Sequence, residues 1–273
     1  KYIPVSVLTI YFRTLDDISI YFDQADRNTR LVGGTEAAEG SHPHMVAISN
    51  GLMVRSFICG GSVVSRRSVL TAAHCIGPVF ELDSLSNSLR VSVGSNRWAT
   101  GVSYRVDRNV THPGYDIQIL KNDIGLLITT TDIELSDRVQ IVPLTFDFIP
   151  EGVKSRVAGW GKISSCGRFH MLRIDTTTID GQECVALAAE AAKEFENIIP
   201  VPIVEPDQEI CTYHSPGRGN CNHDSGSALT RIDDGAQIGI VSWGFPCARG
   251  APDMYVRVSY FQSCVSLRIL LIR

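Results

Sequence analysis

No run in the 273 residues approaches the roughly 18 consecutive apolar residues that a membrane-crossing helix requires, and Arg268 interrupts the apolar C-terminal stretch, so no membrane partner is expected. Charge of one sign is not in excess. A formal net charge of -4 with 20% charged residues gives no electrostatic footprint for nucleic acid. The paired CxxC spacing of zinc sites is missing from the eight cysteines, which stand at positions 59, 75, 166, 184, 211, 221, 247 and 264. Fixed-period repeats and low-complexity tracts are absent, which argues against solenoids and propellers. Residues 3–12 form only a short, polar-interrupted apolar segment without a small-residue cleavage site, so a signal peptide is read as lost or absent from this sequence.

A chain of 29.9 kDa with 44% hydrophobic residues can bury a sizeable core, as one large all-β unit or two small packed domains. Eight cysteines without metal spacing suit disulfides in an oxidising, extracellular compartment, and a secreted protein is expected. From Leu31 to about Val258, short β-branched or aromatic runs alternate with Gly, Pro, Ser and Asn. Leu89-Arg90-Val91-Ser92-Val93-Gly94 and Gln237-Ile238-Gly239-Ile240-Val241 are examples, and the spacing predicts antiparallel sandwiches or barrels. Helical composition is confined to 185–198, rich in Ala and Glu, and to the segment after Ser259. Residues 1–30 end in the polar run Asn28-Thr29-Arg30, of the kind proteases cut, and read as a removable propeptide.

Three segments carry chemistry. Thr71-Ala72-Ala73-His74-Cys75 sets an imidazole beside a cysteine that a disulfide could fix in place. Asn122-Asp123-Ile124-Gly125-Leu126-Leu127 puts a carboxylate at the start of an apolar strand, where burial is costly unless the group is hydrogen-bonded, and a histidine is a natural partner. Cys221-Asn222-His223-Asp224-Ser225-Gly226-Ser227-Ala228-Leu229 holds a serine between a carboxylate and a glycine in a cysteine-anchored turn.

In the order His, Asp, Ser, these segments resemble the chymotrypsin and trypsin family, whose patterns are TAAHC, DIALL and GDSGGPL, over about residues 31–265. Leu31-Val32-Gly33-Gly34 resembles that family's N-terminus after activation, Ala158-Gly159-Trp160-Gly161 its second barrel's opening strand, and Ser242-Trp243-Gly244 its substrate-binding strand. The resemblance implies an all-β fold of two packed six-stranded antiparallel β-barrels with a C-terminal helix, the first barrel over about 31–142 and the second over about 143–273. It implies a digestive-type serine endopeptidase acting by acyl transfer, with catalytic residues His74, Asp123 and Ser225 and an oxyanion hole from the backbone N–H groups of His223 and Ser225. Activation by a cut after Arg30 would free the amine of Leu31 to pair with Asp224. The implied disulfides are Cys59 with Cys75, Cys184 with Cys211, and Cys221 with Cys247, leaving Cys166 and Cys264 over. The implied partners are protein or peptide substrates and protein protease inhibitors, and the chain is expected to be a monomer without cofactor or metal.

The sequence departs from the family at several points. His223 replaces a glycine expected at positive φ, a conformation that costs a non-glycine residue roughly 1–2 kcal/mol, and loss of one oxyanion donor lowers turnover by about 10²–10³-fold. Two assignments therefore share these residues: an endopeptidase, or a catalytically silent homologue that binds protein through the same cleft. The specificity pocket, by resemblance, contains Gly219, Asn220, Ser242, Trp243, Gly244 and Asp253. Trypsins carry an Asp where Gly219 stands, whereas Asp253 offers a carboxylate from the opposite wall, as in broad-specificity collagenolytic proteases of arthropods. That predicts mixed preference for Arg or Lys and for long apolar side chains; as a solvated turn residue after Pro252, Asp253 would instead leave chymotrypsin-like preference. The sequon Asn109-Val110-Thr111 reads either as an N-glycosylation acceptor or as an ordinary surface loop.

Overall fold

The computed structural model describes residues 33–81, 84–161, 170–194, 201–220, 224–245 and 250–270. Two closed barrels organise them. The first joins β2 (Met45–Asn50), β3 (Ser56–Val63), β4 (Ser68–Thr71), β7 (Arg90–Val93), β8 (Val102–Thr111) and β9 (Gly125–Thr129) in the order β2-β3-β4-β9-β8-β7, with β7 closing back on β2. The second joins β10 (Lys154–Gly159), β11 (Leu172–Thr178), β12 (Glu209–Tyr213), β13 (Ala228–Arg231), β14 (Gln237–Gly244) and β15 (Asp253–Arg257) in the order β11-β10-β13-β14-β15-β12, closed by β11 with β12. A short β1 (Thr35–Glu36) adds to the second barrel through β11, and β5 (Phe80–Glu81) pairs with β6 (Ser84–Leu85) outside both barrels. Among the described residues every strand pairing is antiparallel, and one isolated bridge, Leu144 with Gln237, is parallel.

Side-chain alternation explains why these segments close. Along β11, Leu172, Ile174, Thr176 and Thr178 are buried while the residues between them are not, the period of two that turns one face inward. Val46, Ile48, Val69, Leu70, Val91 and Leu127 fill the first barrel; Val157, Ile174, Leu229, Ile238 and Tyr255 fill the second. The C-terminal end packs back across the molecule, since Val258, Phe261 and Val265 join the core of the first barrel.

The internal helix α1 spans Gly181–Ala192, four residues earlier at its start than the Ala- and Glu-rich composition indicates. The reason is its cap: the Asp180 carboxylate accepts the backbone N–H groups of Gln182 and Glu183, which have no partner inside a helix. Residues 195–198 of the expected helix lie outside the described residues. The C-terminal helix α2 (Gln262–Leu270) follows a single 3₁₀ turn, Val258–Phe261. Asn109 is not in a loop. It lies within β8, with its Nδ2 donating to Thr111 Oγ1 at 3.0 Å, because the β-branched Val110 and Thr111 continue the ladder with β9. Among the described residues no helix is long and apolar enough to cross a membrane.

Candidate active site between the barrels

His74 sits in the 3₁₀ turn Ala73–Cys75 that follows β4, and Cys75 is disulfide-bonded to Cys59 on β3, so the turn is fixed at both ends. The Asp123 carboxylate, from the segment just before β9, is buried. Its Oδ1 accepts the His74 backbone N–H at 2.8 Å, and its Oδ2 pairs with His74 Nδ1 at 2.7 Å. The Ser242 hydroxyl, from β14 in the second barrel, donates to the same Oδ2 at 2.6 Å. Burial opposes ionisation of Asp123, but the charge of His74 and the hydrogen bonds from His74 and Ser242 outweigh it and hold the carboxyl below its ordinary range. The imidazole is thereby fixed with Nδ1 toward the carboxylate. Its other nitrogen, Nε2, lies 3.8 Å from Cys75 Sγ.

Ser225 arrives from the opposite barrel. It is 7% exposed, and its carbonyl accepts the Gly60 N–H at 2.8 Å, while the N–H of Gly226 bonds Val241 at 2.8 Å. Gly226 has φ +79°, and a Cβ there would fall 2.2 Å from Thr71 Oγ1, 2.4 Å from the Gly60 carbonyl and 3.3 Å from Cys75 Sγ. Only glycine permits this approach, which presses the serine turn against the disulfide that braces His74. The adjacent Asp224 is fully buried; its Oδ1 accepts the Gly161 N–H at 3.2 Å, and a Cβ on Gly159 would lie 2.2 Å from that oxygen.

Four of the residues expected in the specificity pocket, Gly219, Asn220, Gly244 and Asp253, also converge. Asp253 opens β15, and its Oδ2 accepts the Asn220 N–H at 2.9 Å. A Cβ on Gly219 would stand 3.0 Å from that oxygen, and one on Gly244 would stand 3.5 Å from Oδ1, so two glycines leave space on the carboxylate's flanks. The side chain is therefore not a solvated turn group: burial pushes its carboxyl up to about 7, against the opposing Asn220 N–H. Asn220 Nδ2 donates to the Tyr255 hydroxyl at 2.8 Å, leaving Asn220 Oδ1 buried without a partner.

A match to the Trypsin family spans residues 31–265 of the 273. The chain belongs to the trypsin family. It is a serine-type endopeptidase, a chymotrypsin-like hydrolase whose substrates are proteins or peptides. It is similar to trypsin epsilon of Drosophila erecta, 30% identical over 86% of each chain. It is also similar to chymotrypsin-2 of Vespa crabro, 33% identical over 85% of this chain and 96% of that one, and to trypsin beta of Drosophila erecta at 28%.

In this trypsin-family enzyme two of the three implied disulfides, Cys59–Cys75 and Cys184–Cys211, lie among the described residues and are formed. Cys264 is a half-buried free thiol. Arg30, Leu31, Cys166, Cys221, His223 and Cys247 lie outside the described residues. Cys59, His74 and Cys75 bring their potential metal-binding atoms together, but both sulfurs are committed to the disulfide. Sequence reasoning passed over Lys121 and Glu209, which meet beneath Trp243. In sequence each is a lone charge beside its motif, Lys121 directly before Asn122-Asp123 and Glu209 directly before Ile210-Cys211, and neither charge points to the other.

Proposed function

We propose that this enzyme is a secreted endopeptidase, held as a zymogen until the bond after Arg30 is cut, with Ser225 as nucleophile, His74 as general base and Asp123 as the group that orients it. The observation that carries the reading is the buried Asp123 carboxylate, which accepts the backbone and ring N–H groups of His74 and the hydroxyl of Ser242. Such a carboxylate fixes the imidazole tautomer and stabilises the imidazolium formed during reaction.

In the reaction, Ser225 Oγ attacks the scissile carbonyl carbon while its proton passes to His74 Nε2. The resulting oxyanion is held by the backbone N–H groups of His223 and Ser225. His74 returns the proton to the amine as the C–N bond breaks, and a water molecule activated by the same imidazole hydrolyses the acyl-enzyme. Activation supplies the last part: the freed amine of Leu31 pairs with Asp224, whose buried setting beside Gly159 and Gly161 suits an ion pair that orders the oxyanion turn.

Asp253 sets mixed specificity. Ionised, it favours Arg or Lys at the cleaved position; protonated, it leaves a pocket that takes Leu or Met, and the relatives include both trypsins and a chymotrypsin. The enzyme acts as an extracellular monomer and is open to protein protease inhibitors. The test is turnover of peptides with Arg, Lys, Leu, Phe, Tyr or Ala at the cleaved position, before and after cutting at Arg30, with labelling by a serine-reactive covalent inhibitor. Turnover appearing only after the cut and vanishing in Ser225→Ala is expected. Absence of label on Ser225 after the cut sinks the reading in favour of a silent homologue.

A further inference from the structure

Lys121 and Glu209 form an ion pair across the two barrels, Nζ to Oε2 at 2.6 Å, with side chains only 6% and 5% exposed. Peptide hydrolysis asks for no charge at this place. A buried pair is weak evidence for stability, because desolvation offsets its attraction and apolar residues of equal volume often serve as well or better. What an ion pair does supply is direction. The Glu209 carboxylate accepts three N–H groups in a fixed division: Oε1 takes the Trp243 indole at 2.6 Å, and Oε2 takes Lys121 Nζ and, at 2.7 Å, the backbone N–H of Glu205. The ammonium also lies 5.7 Å from the centroid of the Trp243 ring.

The pair closes a ring. Lys121 is two residues before Asp123, in a segment where Leu120 and Asn122 hold φ of +49° and +53°, a left-handed conformation that a leucine does not adopt without external constraint. Trp243 directly follows Ser242, whose hydroxyl bonds Asp123 Oδ2. From Asp123 the path runs along the backbone to Lys121, across the ion pair to Glu209, through the indole to Trp243, to Ser242, and back to Asp123. Leu120 and Trp243 pack in the same apolar cluster, so the two arms of the ring also meet through apolar contact.

We propose that Lys121 and Glu209 are positioning residues that lock the 242–244 strand segment to the Asp123 loop, so that extended peptide on that strand and proton transfer by His74 share one geometry. The proposal rests on the assignment of Ser225, His74 and Asp123 as the acyl-transfer groups and of 242–244 as the substrate strand. Its consequence is that remote binding energy is converted into turnover: lengthening a substrate on the acyl side raises kcat as well as lowering KM.

The experiment compares the parent with Lys121→Met, Glu209→Gln and the double variant. It measures thermal stability, inhibitor labelling of Ser225, and kcat and KM separately for a single-residue amide and a tetrapeptide amide sharing the same cleaved residue. Lys121→Met, which leaves a buried carboxylate unpaired, is expected to lose the most stability, and the double variant to recover it. In the double variant the ratio of kcat between long and short substrates is expected to fall about tenfold, with KM still improving on lengthening. A ratio retained within about twofold overturns the proposal, as does an equal fall in kcat for both substrates, which is what a merely structural role produces. Should the double variant not fold, Glu209→Gln carries the same criterion, because it keeps an acceptor for the indole while removing the charge. A parent that fails to label at Ser225 overturns the acyl-transfer assignment and this coupling with it, an outcome distinct from a labelled parent with an unchanged ratio.

Discussion

On the proposed specificity, Asp253 would couple substrate choice to pH. With its carboxyl pushed up to about 7 by burial, the free enzyme is largely protonated there in mild acid and ionised above neutrality. A basic side chain in the pocket needs the ionised form, and a leucine does not. The ratio of kcat/KM for Arg over Leu substrates should therefore climb about tenfold per pH unit below neutrality and level off above about 7, groups common to both substrates cancelling in the ratio. In Asp253→Asn the ratio should be low and flat; a flat ratio in the parent would remove Asp253 from specificity. Ser227 supports a second expectation. Its hydroxyl is buried with no partner and presses on Gly60, where a Cβ would come within 2.1 Å of Oγ. Ser227→Ala should raise stability by about 1 kcal/mol, or roughly 2–4 °C in Tm by calorimetry. The pairing of His74 with Asp123 was expected from sequence because each stands in a contiguous motif, as Ser225 does. Lys121 and Glu209 were not, since they lie 88 residues apart and only the closed fold brings them together.

Strands were legible where alternation or a β-branched run identified them, as in β7 and β14, whereas the start of helix α1 was not, because the Asp180 cap overrode composition. The turn linking Asp224 to β13 is the element on which the site depends. Gly226 takes φ +79° with Thr71 and Gly60 at sub-contact distance from any Cβ, so Gly226→Ala combines backbone strain with a clash between the barrels. We expect a loss of about 3 kcal/mol or more, with turnover falling further than stability because the displaced atoms carry Ser225. Denaturant unfolding and inhibitor labelling of the folded fraction measure the two separately. Normal labelling in Gly226→Ala would mean that the turn tolerates displacement.

At the scale of the molecule, two barrels could be expected from the motifs. The return of 258–265 onto the first barrel's core could not, because a pattern of apolar residues identifies a buried face without identifying its partner. The same closure buries ionisable groups with opposing consequences. His42 and His44, before β2, are both lowered to about 4, His42 by burial and then by Arg156 and Arg173 against Asp175, His44 by burial and then by His42. A histidine lowered in the fold binds fewer protons there than in the unfolded chain. Its contribution is fully present above 6.5 and is lost as pH falls toward about 4, on the order of 3 kcal/mol for each. Asp253 acts in the opposite sense. Raised from 3.8 to about 7, it holds a proton the unfolded chain has released, so its penalty grows as pH rises across that window, by about 4 kcal/mol. Asp253→Asn removes the penalty while Asn can still accept the Asn220 N–H. The variant should therefore melt several degrees above the parent at about pH 8, little differently at about pH 4, and lose stability more steeply than the parent between them. A Tm difference that is the same at both pH values would show that Asp253 titrates alike in the folded and unfolded chain, and would remove both its stability cost and the pH dependence of substrate choice argued from it.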